Sequence, residues 1–342
     1  MKKVLVTGGA GYIGSHTVVE LQNAGYVPVV IDNFSNSKRL VIDQIEKITG
    51  KRPALHVIDM CDHDALKNFF ANHTDISDII HFAAFKSVGK SIEEPLEYYR
   101  NNLDSLVNLL ELLQNRTVNL IFSSSCIVYG EATDLPVTES TELKEATSPY
   151  GSTKRMSERI LEDVANTSSN YNIISLRYFN PVGAHASAMI GEFPLDTPQN
   201  LVPIVTQKAV GKRDDLTIYG NSYDTPDGTA MRDFIHVVDL AKAHIAALKF
   251  LERKQSATNY NIFNVGAGKG YTVFEVIKAF ESSTGVKLDY KIGPRRSGDI
   301  SRIYSDPSKA EKELGWKAEL SIDDMMKSAW AWECYLRDND IE

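Results

Sequence analysis

Tyr150 and Lys154 stand four residues apart in the segment SPYGSTK (148–154). On a helix that spacing puts both side chains on one face. A free tyrosine keeps its proton to about pH 10, so it is a poor base at neutral pH. An ammonium beside it favours the phenolate, each unit of pKa shift being worth about 1.4 kcal/mol. A tyrosine tuned in this way can take a proton from an alcohol or sugar hydroxyl while a cofactor takes the hydride. The spacing alone is equally that of a buried ring beside a solvated lysine. Ser125 adds to the pair, because it ends the apolar run NLIFSSS (119–125), behind Ser123 and Ser124. A hydroxyl at the C-terminal end of a strand can hydrogen-bond a reacting oxygen, although three serines can also serve to satisfy loop backbone.

The group that would take the hydride is announced near the start of the chain. TGGAGYIG (7–14) sets Gly8, Gly11 and Gly14 directly after an apolar run, and it also reads as G-x-G-x-x-G from Gly9. Glycines there permit a tight turn and a close backbone approach to a pyrophosphate at a helix N-terminus. Asp32 ends the next apolar run, where an acid suits the ribose hydroxyls of adenosine and repels a 2′-phosphate. NAD is therefore the expected cofactor in preference to NADP. Asp59 ends a third run and either meets the adenine side or caps the following helix.

These residues need a scaffold, and the first half supplies its pattern. KVLVT (3–7), VPVVID (27–32), ALHVID (54–59), DIIHFAA (78–84), NLIFSSS (119–125) and NIISLRYF (172–179) are apolar and rich in β-branched residues. Buried parallel strands look like this, and helix-like stretches separate them. One such stretch, about 95–114, places Leu103, Leu106, Val107 and Leu110 at helical spacing. The fold class is thus α/β, a doubly wound parallel sheet. After Asn180 the texture becomes loop-rich, with five prolines between 181 and 226. HVVDLAKAHIAALKFLE (236–252) then reads as a helix, and NIFNVG (261–266) as a strand that returns to the sheet. Thr272-x-x-Glu275 is a capping box for a helix that Gly285 stops, and the last 22 residues read as an amphipathic helix. The expected division is a cofactor domain, 1–180 with a return segment at about 234–266, and a smaller α/β substrate domain from 181–233 and 267–342.

Bulk properties limit the partners. The 342 residues carry a net charge of −8, which argues against nucleic acid or an anionic membrane surface as the main partner. MKKVLVTGG passes from a short apolar run straight into a glycine turn, so it reads as a strand and not as a signal peptide. No stretch approaches the roughly 18 apolar residues of a membrane helix. Cys61, Cys126 and Cys334 are odd in number and far apart, which points to a reducing cytoplasm. The eight histidines fall in no metal-binding spacing, so no metal is expected, and His236 and His244 read as core or surface residues.

TGGAGYIGSH, IDNFSNS, HFAAFKSVGKS, YYRNN, SSSCIVYG, SPYGSTK, LRYFNPVGAH, GTAMRDFIHVVDLA and PRRSGD follow one another along nearly the whole chain. In these motifs the chain resembles the extended short-chain dehydrogenase/reductase family, in its branch of UDP-sugar 4-epimerases. The resemblance implies a catalytic trio of Tyr150, Ser125 and Lys154. It implies that Gly8, Gly11, Tyr12, Ile13 and Gly14 surround the NAD pyrophosphate. Asp32, Asn33, Phe34, Ser35, Asn36 and Ser37 would surround the adenosine ribose, and Asp59 with Met60 the adenine. Phe82, Ala83, Ala84, Phe85, Lys86, Asn101 and Phe179 would line the rest of the cofactor site, with Lys154 on the nicotinamide ribose. Besides Ser125 and Tyr150, the nucleotide-sugar contacts would be Asn180, Asn200, Leu201, Tyr219, Arg232, Arg296 and Asp299. A guanidinium suits a diphosphate because it can engage it bidentately; apart from the resemblance, Arg232 and Arg296 read as ordinary surface arginines.

The implied activity is interconversion of UDP-galactose and UDP-glucose through a transient 4-keto sugar, in a homodimer packed through the helices near 95–114 and 150–168. Two positions depart from the family pattern. Phe234 stands where relatives often carry tyrosine. Ile303 is intermediate between the bulky residue that excludes N-acetyl sugars and the small one that admits them, which leaves UDP-N-acetyl sugars an open question. Two other activities fit the same fold. A nucleotide-sugar 4,6-dehydratase needs an added acid and base beside Ser125, where this chain has Cys126 and Ile127. A non-catalytic NAD-sensing regulator would tolerate loss of the trio, which is intact here.

Overall fold

The computed structural model describes residues 1–253, 258–296 and 300–341. The apolar runs become strands β1 (Lys3–Thr7), β2 (Val27–Ile31), β3 (Ala54–His56), β4 (Asp78–His81), β5 (Val118–Ser125) and β6 (Tyr171–Tyr178). Between them lie α1 (Tyr12–Asn23), α2 (Leu40–Thr49), α3 (His63–Asn72), α4 (Val88–Glu93), α5 (Pro95–Leu113) and α6 (Pro149–Thr167). Proline opens both α5 and α6, where its missing N–H costs nothing. Ser148 caps α6 by accepting from the Gly151 amide at 3.2 Å.

The chain continues through β7 (Asn180–Val182), α7 (Leu201–Ala209), β8 (Thr217–Tyr219), β9 (Met231–His236) and α8 (Val237–Glu252). It ends with β10 (Tyr260–Val265), β11 (Gly270–Thr272), α9 (Val273–Thr284), β12 (Lys291–Gly293), β13 (Arg302–Ile303) and α10 (Ile322–Asp338). The capping box of Thr272 and Glu275 is formed at the start of α9. His236 caps α8 through Nδ1, and His244 lies fully buried within it.

Seven strands make one sheet, all pairs parallel, in the order β10-β6-β5-β4-β1-β2-β3. The run at 261–266 therefore does return to the sheet, beside β6. One face is packed by α1, α2 and α8 through Val18, Leu21, Ile42, Ile45, Leu240 and Leu248. The other is packed by α3, α5 and α6 through Leu66, Phe69, Leu106, Leu109 and Leu161. Each such buried aliphatic side chain is worth about 1.5–3 kcal/mol relative to exposure. A second sheet sets β9 between β11 and β13, with β7 also on β9, and β8 pairs β12. Val202, Val205, Phe234, Val276, Phe280 and Met326 form the core under them.

Two strands are shorter than their apolar runs. The edge strand β3 stops at His56 because its one partner β2 stops opposite it at Ile31; β4 stops at His81, opposite Thr7 of β1, although β5 runs on past Phe122 to Ser125. A strand at the limit of its neighbour has no more ladder to join. Asp59 consequently lies in a loop, not at a strand end. Among the described residues no helix is long and apolar enough to cross a membrane.

Candidate active site

β5 carries the three serines to the C-terminal edge of the sheet, and α6 lies over that edge with Tyr150 and Lys154 on its buried face. The Tyr150 hydroxyl lies near enough to the Ser125 side chain for Ser125 to favour the phenolate. Burial pushes the Tyr150 phenol up from its ordinary range, and the Ser125 hydrogen bond opposes that shift. Lys154 is 4 % exposed, and burial brings its ammonium down to about 7. Its Nζ donates to the Ser123 carbonyl at 2.7 Å and stands 6.0 Å from the Tyr150 ring centroid. The lysine is thus anchored on the strand end behind the phenol and makes no hydrogen bond to it. The protein side chains alone leave Tyr150 protonated at neutral pH, so further positive charge is needed to make it a base.

The glycine turn is built for close approach. Gly8 has φ +69°, and a Cβ on Gly14 would lie 2.2 Å from the Gly8 carbonyl oxygen. α1 opens at Gly11 without a capping side chain, so its first amides face outward as an anion site. Asp32 closes the turn from below: its Oδ2 accepts the Ala10 amide at 2.9 Å, and its Oδ1 accepts the Phe34 amide and the Ser37 hydroxyl, both at 2.9 Å. These features fit a dinucleotide such as NAD. The carboxylate organises the 32–37 loop as well as facing the place of a ribose.

The remaining residues read as cofactor contacts lie just past β2, β3 and β4, with Asn101 on α5 and Phe179 directly after β6. Asp59 accepts the Cys61 amide at 2.8 Å and the Asn33 side chain at 3.0 Å, while Asp62 is the cap of α3. Met60 is buried beneath them. The 82–86 loop is pinned by Asn102, whose Oδ1 accepts the Phe85 amide at 2.8 Å and whose Nδ2 donates to the Phe85 carbonyl and to Thr153 Oγ1. Asn101 donates to that same Asn102. The neighbour of the expected residue is thus the structural one, a distinction the YYRNN motif alone does not make. Tyr12 reaches away from the turn, its hydroxyl donating to the Gly183 carbonyl at 2.6 Å.

β9 collects the residues expected to hold a nucleotide sugar. In its register Arg232 lies beside Ile303 of β13, and Phe234 beside Asn180 of β7. The Arg232 charge reaches the thiol of Cys126, next to Ser125, so this strand meets the catalytic edge. Between those two residues Asp233 is fully buried and accepts the amides of Ala267, Gly268 and Ser305. Farther out, the Arg296 guanidinium stacks 4.0 Å from the Tyr219 ring centroid. Asn200, before Leu201 at the start of α7, donates to Glu192, which also accepts from Lys86 at 3.1 Å. Ile303 is buried against Val128, Tyr129, Val137 and Phe179. Asp299 lies outside the described residues.

Comparison with known proteins gives this geometry a family. Residues 4–266 match the model of the NAD dependent epimerase/dehydratase family. The chain belongs to that family. It is 50% identical to the UDP-glucose 4-epimerase of Dictyostelium discoideum, over 97% of this chain and 95% of that protein. It superposes on the UDP-glucose-4-epimerase of Stenotrophomonas maltophila, solved with bound NAD and formylated UDP-arabinopyranose, with TM-score 0.95 and 44% identity, covering 99% and 100% of the two chains. For the Bifidobacterium longum UDP-glucose 4-epimerase, solved with NAD+ and UDP, the TM-score is 0.93 at 47% identity, covering 98% and 99%. Membership in the UDP-glucose 4-epimerase branch follows, and with it NAD as the cofactor.

In this epimerase-family chain several residues of the site carried no assigned role, and Glu158 lies outside the motifs altogether. Glu158 is 5 % exposed and takes Arg177 in a bidentate pair, Nε–Oε1 2.9 Å and Nη2–Oε2 2.6 Å. It also accepts the Ser124 hydroxyl at 2.5 Å. Tyr178 hydrogen-bonds Ser123, and Tyr98 adds to the upward shift of Tyr150. The one available signal was Glu158 itself, eight residues beyond Tyr150 and so on the buried face of α6.

Proposed function

We propose that this chain interconverts UDP-galactose and UDP-glucose, with Tyr150 as the acid–base group. The observation that carries this reading is the meeting of Ser125 and Tyr150 at the C-terminal edge of the sheet, with the buried Lys154 ammonium anchored behind them on the Ser123 carbonyl. NAD, when bound, would supply the acceptor and donor of the C4 hydride and the positive charge of its nicotinamide. Gly8, Gly11, Gly14 and Asp32 with their loops would hold it. Tyr150 takes the O4 proton as the hydride leaves and gives it back on return. Ser125 shares the hydrogen bond to that oxygen, and Lys154 favours the phenolate through space. Arg232, Arg296, Asn180, Asn200, Leu201 and Tyr219 keep the UDP in place while the 4-keto sugar turns its other face to the cofactor. Tyr12, Ile13, the 33–37 loop, Asp59, Met60, residues 82–86, Asn101 and Phe179 line the dinucleotide. The cycle has no net redox, so NAD stays with the protein.

A 4,6-dehydratase is disfavoured because Cys126 and Ile127 supply no acid and base for loss of water. The decisive experiment incubates purified protein with UDP-galactose and no added nucleotide, following products by NMR. UDP-glucose is expected; a 6-deoxy-4-keto product, or no turnover with nucleotide and sugar bound, overturns the reading. UDP-N-acetylgalactosamine run alongside reports on the pocket at Ile303.

A homodimer is part of the same reading. Val107 on α5 and Met156 on α6 are 36% and 46% exposed, and Leu110, Ile160 and Val164 line a groove between the helices. Such a paired apolar face suits a second copy. Sedimentation should give a dimer mass that V107E/M156E lowers to a monomer. The three free thiols are in keeping with a reducing cytoplasm.

A further inference from the structure

We propose that Glu158 is a positioning residue for the proton transfer: its carboxylate fixes Lys154, in place and in charge, beneath Tyr150. The proposal rests on the assignment of Tyr150 as the acid–base group. Tyr150, Lys154 and Glu158 follow at intervals of four on α6, so they share its buried face. Glu158 then ties three elements together. Ser124 of β5 donates to it, Arg177 of β6 clamps it bidentately, and it rides on the helix that carries the other two. The residues flanking Ser124 are the ones that matter: Ser123 offers its carbonyl to Lys154, and Ser125 meets Tyr150. One carboxylate therefore sets the helix against the strand end at the catalytic contact.

The charges face one another in a dry interior. Lys154 feels the charge of Glu158 from its own helix, and touches the Phe122 ring at 4.8 Å and the Ser123 carbonyl from β5. His81 of β4 feels the same ammonium and is held neutral by burial, its Nδ1 on Thr7 at 2.8 Å. From β6 come Arg177, spent on Glu158, and Tyr178, bonded to Ser123. Tyr98 of α5 acts on Tyr150, and Tyr260 of β10 lies by Glu158 and Arg177. Glu158 is the one anion acting directly on Lys154 among the described residues, and it opposes the loss of the lysine proton that burial drives. Neutral Lys154 would leave the Tyr150 phenolate without support.

The test reads the Tyr150 phenolate directly. In the NAD-loaded protein, ultraviolet absorbance is titrated with pH and the Y150F counterpart of each variant is subtracted. E158Q should raise the Tyr150 midpoint by about one pH unit, a tenfold change in proton affinity. R177Q leaves the carboxylate unneutralised and should lower it. E158Q/R177Q should fall between the two. In turnover, E158Q should lose about tenfold or more in kcat with KM for the sugar within about twofold, the mark of a group acting on the chemical step. Equal midpoints in wild type and E158Q, or a double variant displaced like E158Q, overturn the proposal. If E158Q does not fold, because Arg177 is then buried without a counter-charge, the gap between R177Q and the double variant decides: R177Q must lie lower. A wild-type protein that fails to convert UDP-galactose defeats the epimerase reading but leaves this titration readable.

Discussion

At the end of β5, Lys154, Glu158 and Arg177 are each 5 % exposed or less, and every charge meets a fixed partner. On the smaller half, Tyr219 is 38% exposed and Arg296 lies at the surface, stacked on it. The first region sets protonation states, which demands a dry and rigid surrounding where charges act strongly. In the proposed function the second would grip a charged ligand, and a solvated arginine that can move onto a diphosphate suits that purpose. Arg232 stands between the two kinds, on β9 but within electrostatic reach of Cys126. Two loops away from these regions share one device, a carboxylate that gathers backbone amides: Asp32 under the glycine turn and Asp233 of β9.

The contrast can be broken by substitutions. Tyr150→Phe should cut turnover by about 100- to 10,000-fold while bound nucleotide and melting temperature stay close to wild type; near-normal turnover would end the role of the buried edge. Gly14→Ala forces a methyl onto the Gly8 carbonyl. It should strip most of the nucleotide on gel filtration and destabilise the fold by about 1–3 kcal/mol; full nucleotide retention would show that the turn is not the cradle.

On the exposed side, Arg232→Ala and Arg296→Ala should raise KM for the nucleotide sugar by about 10- to 100-fold, the worth of charge-assisted hydrogen bonds. Arg296→Ala should leave the melting temperature unchanged. A drop as large as that of Gly14→Ala would erase the distinction between the regions.

A further effect is in pH dependence. Lys154 holds its proton in the unfolded chain up to about 10.5 but in the folded protein only to about 7. Across that window the unfolded state binds the extra proton, so stability from this group rises with pH and is lost as pH falls to 7. Urea unfolding of Lys154→Met against wild type at pH 7, 8.5 and 10 should show the variant gaining relative stability as pH falls. A pH-independent gap would mean that the lysine is not dry.

Much of the fold was legible. TGGAGYIG announced a turn because strand, glycines and helix follow in order, and the apolar run at 261–266 announced the seventh strand. Asp59 was misplaced at a strand end, because hydrophobic runs do not reveal where a partner strand stops. The Glu158–Arg177 pair was invisible as a pair, since its members meet only after β6 pairs with β5 and α6 folds over both. The same folding moves Lys154 from the tyrosine to the Ser123 carbonyl.

By itself, then, the sequence determined what local chemistry can encode: the period of the strands, the glycines that a tight turn requires, and a tyrosine and lysine on one helical face. Tertiary structure alone decided the protonation of those groups. Charge states depend on burial and on partners brought from distant strands, and no spacing along the chain carries that information.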